Sequence, residues 1–311
     1  MCSTMTRLQT TTIGSLHRFS DDLHGSIDEA IAFQKRHGLD LMTDGEQRTD
    51  MVSYFAESFS GLGVESGVPL ITGRIALQGA ASDFSKVKDL AYIRSKYPDM
   101  PIKVAITGPT TLGMTCGSRK MASYYRGLLD PALCEDIASA LAPVAHELAR
   151  LGAYVQIDEP FLSQGYRDLA ERVALLDVIA EGLPSERTSV HVCGFIGRSG
   201  VVDHLLSLEN VSVLSFGFAG RQERGNLNHL KGDAFRDSGK RLGAGCIAVT
   251  PLSEAEVDDA RAVRTLLEAV VDRVGPDSVA YAHPDCGLRA TSRPLVPIIL
   301  DNLHAGIDMF V

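Results

Sequence analysis

Three residues of this chain have the types and spacing that hold a soft divalent metal: His191, Cys193 and Cys286. His191 and Cys193 stand two apart on a β-rich run, so their side chains project from one face and can converge on a point. Cys286 follows a turn-prone Pro284-Asp285 and can reach that point from another element. An imidazole and two thiolates suit zinc better than magnesium or calcium, and three protein ligands leave one coordination position for a substrate. The chemistry expected is thiol activation, because a free thiol is mostly protonated at neutral pH and a zinc ion removes that proton. Taken singly, each cysteine also has a plainer reading as a small core hydrophobe.

Eight short β-rich runs supply the elements that must position these groups: Thr11-Ile13, Leu41-Thr43, Lys103-Thr107, Tyr154-Ile157, Ser189-Val192, Val211-Ser215, Leu242-Ile247 and Val279-Ala282. Helical stretches alternate with them, including 131–150 after Asp130-Pro131 and 254–274 after a Ser253-x-x-Glu256 capping box. The runs end on Gly14-Ser15, Asp44-Gly45-Glu46, Gly108-Pro109, Asp158-Glu159-Pro160, His191-Val192-Cys193, Gly217, Cys246 and Pro284-Asp285-Cys286-Gly287. Reactive and turn-forming residues collected at the strand ends are where a (β/α)8 TIM barrel builds its active site. The expectation is an α/β chain, a single TIM-barrel domain over residues 1–311, with a glycine-rich β excursion in the β1/β2 region at about 61–83.

Composition narrows the partners. With 45% hydrophobic and 22% charged residues, the 311-residue chain has material for a large core. Thirty basic against 39 acidic residues give a formal charge of -9, which disfavours binding to nucleic acid or an anionic membrane. No segment approaches the roughly 18 apolar residues of a membrane span, and no signal peptide is visible, so a cytoplasmic location is expected. The cysteines at 2, 116, 134, 193, 246 and 286 are then free thiols or ligands, with Cys116 and Cys134 read as unexceptional. The charged regions 86–96 and 221–241 read as solvated helix faces, and Tyr124-Tyr125 as packing on the barrel.

Six segments in order resemble the C-terminal catalytic half of cobalamin-independent methionine synthase and its stand-alone single-domain relatives. They are Thr10-Thr11-Thr12-Ile13-Gly14-Ser15, Gly45-Glu46 with Asp50-Met51-Val52-Ser53-Tyr54-Phe55, and Thr107-Gly108-Pro109-Thr110-Thr111-Leu112, followed by Gln156-Ile157-Asp158-Glu159-Pro160, His191-x-Cys193 and His283-Pro284-Asp285-Cys286-Gly287-Leu288. The resemblance implies methyl transfer to homocysteine, with zinc held by His191, Cys193, a glutamate and Cys286. The glutamate position falls in Val213–Ala219, where this chain carries Gly217; the expected replacements are a water or a neighbour, Cys246 at the end of the adjacent strand being the candidate.

The same resemblance places the amino-acid head of the thiol substrate on Ser15, Glu46 and Asp158, with Glu159 beside them. Plainer readings are open for these: Ser15 capping a turn, Glu46 pairing with Arg48, Asp158 holding a backbone amide. Two carboxylates favour an aminothiol over a sulfonate thiol. There is no tryptophan to stack on a folate ring, and Ala248-Val249-Thr250-Pro251 stands where the family's histidine acid is expected. A methylcorrinoid protein or a sulfonium fits better as donor, with Asp158 and His283 as the catalytic candidates. His283 has two expected roles, a partner behind the metal ligands or a replacement acid. Alkyl transfer to another thiol, as in epoxyalkane:coenzyme M transferases, and a thiol-binding barrel without turnover are the competing readings.

Overall fold

The computed structural model describes residues 8–117, 119–198 and 200–310, so Cys2 lies outside the described residues. Seven of the eight runs overlap strands of one parallel sheet, and the first strand ends just before its run Thr11-Ile13, of which Thr11 makes a single bridge. The strands of the sheet are β1 (Gln9–Thr10), β2 (Met42–Thr43), β5 (Ile102–Thr107), β6 (Tyr154–Asp158), β7 (Thr188–Val192), β8 (Val213–Gly217), β9 (Arg241–Ile247) and β10 (Val279–Pro284); β3 (Phe59–Glu65) and β4 (Val68–Leu77) form a separate pair. The sheet order is β1-β10-β9-β8-β7-β6-β5-β2, and a parallel bridge between Thr11 and Leu41 joins its two edges. Helices connect the strands, and the result is a TIM barrel.

The helices bury an apolar stripe against the outer face of the sheet. Pro131–Arg150 does so with Leu133, Ile137, Leu141, Val144 and Leu148, all spaced by three or four residues. Its start is as expected: the Asp130 carboxylate accepts from the Ala132 N–H at 3.3 Å. The next predicted helix starts later than its capping box suggested. Residues Glu254–Glu256 form only a 3-10 turn, Ser253 makes no cap bond, and the α-helix runs Ala260–Val274 behind Asp259, whose carboxylate accepts from Ala262 N–H at 2.8 Å. The Glu256 carboxylate instead accepts from Leu252 N–H at 3.0 Å, and extended backbone at Val257 separates the two turns.

The glycine-rich excursion is an antiparallel hairpin lying between the second and third barrel strands. Its two-residue turn, Ser66-Gly67, has φ of 51° and 79°, the double positive φ of a type I′ turn. It is fastened to the loop after β5: Ile71 N–H donates to Cys116 O at 2.7 Å, and Ile75 N–H to Tyr125 Oη at 2.8 Å. Tyr125 and Cys116 are buried while Tyr124 is exposed.

Inside the barrel the lining is polar. Lys103 Nζ donates to Gln156 Oε1 at 2.7 Å, and Gln156 Nε2 donates to Ile13 O at 2.8 Å and Asp158 Oδ1 at 2.7 Å. The expectation of a solvated face over 86–96 fails at its first turn. Lys86 is fully buried and donates to Glu46 Oε1 at 2.9 Å, while buried Asp89 accepts from Arg48. A charged pattern on one helix could not show that its partners wait on the barrel rim.

Candidate metal and thiol site

At the carboxyl ends of β7 and β10 the ligand atoms of His191, Cys193 and Cys286 lie within 4.8 Å of one another. His191 Nε2 is 2.9 Å from Cys193 Sγ, which is 2.9 Å from Cys286 Sγ. The loops that carry them are tied together from below. Asn226, wholly buried, donates to Gly194 O at 2.8 Å and to Gly217 O at 2.9 Å and accepts from Ile196 N–H at 3.0 Å. Asp285, next to Cys286, accepts from the N–H groups of Phe218 (2.9 Å), Ala219 and Gly220. Burial pushes the Asp285 carboxyl up to about 7 against those three bonds.

One carbonyl sets the protons of the whole cluster. Pro284 O can only accept, so His283 Nδ1, 2.7 Å away, carries a hydrogen. Burial and the charge of Lys103 push His283 down to about 3, so its ring is neutral and Nε2 accepts from the Ser215 hydroxyl at 2.9 Å. Ser215 Oγ then accepts from His191 Nδ1 at 2.9 Å, which leaves the His191 Nε2 lone pair aimed at the two sulfurs. The Ser215–His283 bond crosses over β9 because Gly243 presents no side chain there; a Cβ would fall 3.1 Å from Ser215 Cβ and 3.2 Å from His283 Nε2.

Charge at the cluster follows. His191 is held well below the usual histidine range by burial, then by His283 and Lys103, so its imidazole is neutral. Donation from Cys193 holds the Cys286 thiol down, while giving that bond and burial push Cys193 up. A neutral imidazole and a pair of thiols that already favours one thiolate is the donor set that zinc takes.

Beside the cluster, Ser15 lies against Gly287, where a Cβ would collide with Ser15 Oγ; that hydroxyl has no hydrogen bond among the described residues. Asp158 is paired in register with His191, is buried, and is pushed up to about 7 by burial and then by the charge of Glu46. Glu46 sits in the left-handed region at φ 52°, uncommon outside glycine and a mark of a held functional turn. Its partner is Lys86 and not Arg48. Burial lowers Lys86, but the carboxylates of Asp44 and Glu46 overcome it and hold the ammonium charged.

Three expectations are corrected. Glu159 is not a substrate ligand: its carboxylate accepts from Thr110 N–H (2.8 Å), Thr111 N–H (2.9 Å) and the Thr111 hydroxyl (2.6 Å), so it caps Pro109–Thr115. Glu159→Ala is therefore expected to cost about 2–5 kcal/mol in denaturant unfolding, since buried donors lose their acceptor. His283 has both ring nitrogens engaged, which removes it as a replacement acid and leaves it as the residue orienting His191 through Ser215. Cys246 points to the other face of β9, donating to Ala244 O at 3.3 Å inside the hydrophobic core, and does not join the cluster. Sequence reading missed Lys103, Ser215 and Asn226. A lysine on the otherwise apolar Ile102–Thr107 run was the available signal for the first; the others carry none.

A family profile described as the catalytic domain of cobalamin-independent synthase matches residues 3–305. The chain belongs to that family. It is accordingly a methyltransferase. Methionine synthase from Methanothermobacter marburgensis is 34% identical over 93% of this chain and 90% of its own length. The 5-methyltetrahydropteroyltriglutamate–homocysteine methyltransferase of Chelativorans sp. is 28% identical over 90% of this chain but only 37% of its own length. The fold is shared with a B12-independent methionine synthase from Shewanella sp. W3-18-1, solved in complex with selenomethionine: TM-score 0.78, 22% identity, 98% of both chains. No helix among the described residues is long and apolar enough to cross a membrane.

Proposed function

We propose that the chain, acting as one barrel domain, transfers a methyl group to the sulfur of homocysteine and makes methionine, with zinc held by His191, Cys193 and Cys286. The observation that carries this reading is the relay from Pro284 O through His283 and Ser215, which leaves His191 Nε2 unprotonated beside two thiols. Zinc bound there would supply the Lewis acidity that keeps a substrate thiol ionised at neutral pH. The protein's own groups do the rest. The free Ser15 hydroxyl donates to the substrate carboxylate, and Asp158 with Glu46 receives the ammonium. Their negative charge selects an aminothiol over a thiol with an anionic head.

The sulfur gives its electron pair to the methyl carbon, the donor keeps the pair of the breaking bond, and the thiol proton leaves to solvent. Ala248-Val249-Thr250-Pro251 stands where the family's histidine acid is expected, which supports a donor whose leaving group needs no proton, such as a methylcorrinoid. The test is to incubate zinc-loaded protein with homocysteine and either methylcobalamin or methylfolate and identify the product by mass. Methionine is expected from the first. Efficient methionine from free methylfolate overturns the donor assignment, and alkylation of coenzyme M in preference to homocysteine overturns the acceptor.

A further inference from the structure

Three protein donors converge at the cluster, and the backbone position beside them is bare. Gly217 follows the registered pair Val192–Phe216, so it stands next to Cys193 on the inward face that also carries His191 and Ser215. There is no room for a side chain at Gly217: a Cβ would fall 2.9 Å from Asp285 Cγ and 2.9 Å from Glu223 Cγ. Gly220 is closed in the same way, its Cβ colliding with the Glu223 carboxylate. Neither glycine has a positive φ, so backbone conformation does not demand them. What both do is make space for Glu223.

Glu223 is held there from both sides. Its N–H donates to Gly220 O at 3.0 Å and its carbonyl accepts from Asn226 N–H at 2.8 Å, and Asn226 is the residue that buckles the β7 and β8 loops together. Its half-buried carboxylate makes no hydrogen bond or ion pair among the described residues, unlike that of Asp285 beside it. Its carboxylate lies beside Gly220 and is not within 4.8 Å of all three donor atoms, so a bound metal would draw it in by a turn of its side-chain torsions.

We propose that Glu223, reaching over Gly217 from the turn after β8, supplies the carboxylate that completes the metal centre as its fourth protein ligand. The proposal rests on the zinc reading above. The expected charged region 221–241 thus holds a ligand that its sequence setting disguised as a solvated face.

Cobalt and zinc binding to the intact protein, followed by chelator competition and by the cobalt ligand-field and thiolate charge-transfer bands, tests it without turnover. Glu223→Gln is expected to weaken both metals by at least about 10-fold and to shift the ligand-field bands while leaving the two-thiolate charge-transfer intensity in place. In Glu223→Ala, added acetate is expected to restore the parent spectrum. Metal-free melting of both variants is expected to match the parent. Parent-like affinity and spectrum in Glu223→Gln overturn the Glu223 assignment and leave a three-ligand site standing; a parent protein that binds neither metal overturns the zinc reading itself.

Discussion

Cys286→Ser is expected to lose metal affinity by roughly 100-fold or more, because removing one ligand outdoes the 10- to 100-fold effect of outer partners. Serine keeps the size of the side chain but not an ionisable sulfur, and a site left with a single thiolate holds zinc less well than one with two. Cys286 is only half-buried and its neighbour Asp285 keeps the clamp on residues 218–220, so the fold is expected to survive. The contrast is readable in unfolding. Zinc at 100 times its dissociation constant stabilises a folded chain by about 2.7 kcal/mol, and the variant at the same zinc concentration should show almost none of it. Stoichiometric zinc with parent affinity in Cys286→Ser would sink the metal assignment.

Asp158→Asn is the second large effect, an expected loss of about 2–5 kcal/mol in binding the amino-acid product methionine, since a buried ammonium loses its charged partner. Methionine is the better probe because it has no thiol to titrate. The pH profile gives the sharper test. An ordinary aspartate has a pKa near 3.9, whereas burial and the Glu46 charge raise Asp158 to about 7, opposed by Gln156, Lys103 and Lys86. A raised carboxyl retains its proton on folding, so its contribution to stability is full below the unfolded value and is lost as pH rises through about 7. An ammonium ligand prefers the ionised form, so methionine affinity should rise across that same window. Both trends should shrink in Asp158→Asn. Glu159 and Asp285 also titrate near 7 through burial, so the difference between variant and parent, and not the parent curve, isolates Asp158. Identical pH profiles for the two proteins would remove Asp158 from the ammonium site.

How far the sequence carried depended on whether a signal was local. Strand runs, turn residues and the His191-x-Cys193 pair are short-range patterns, and the eight strands follow them within a few residues. The small errors have causes: β8 starts at Val213 and not Val211, because Ser212 N–H is spent on the carbonyls of Ser185 and Thr188. Cys246 was misplaced because strand parity depends on where its strand begins, and Gly245, not Cys246, faces inward. Lys86 and Glu159 were misread for another reason. Each owes its role to a partner distant in the chain, Glu46 or Thr111. Nothing beside these residues in sequence announces that.

The cluster joins residues 93 positions apart, just beyond β7 and just beyond β10, the strand whose other edge pairs with β1. Cys286 therefore reaches its partners only as the final strand docks and the ring shuts. During synthesis, a chain that has made β7 but not β10 holds two of the donors and no pocket. Metal capture would report that the barrel seam has closed, and a seated ion would act as a latch that unfolding must first release.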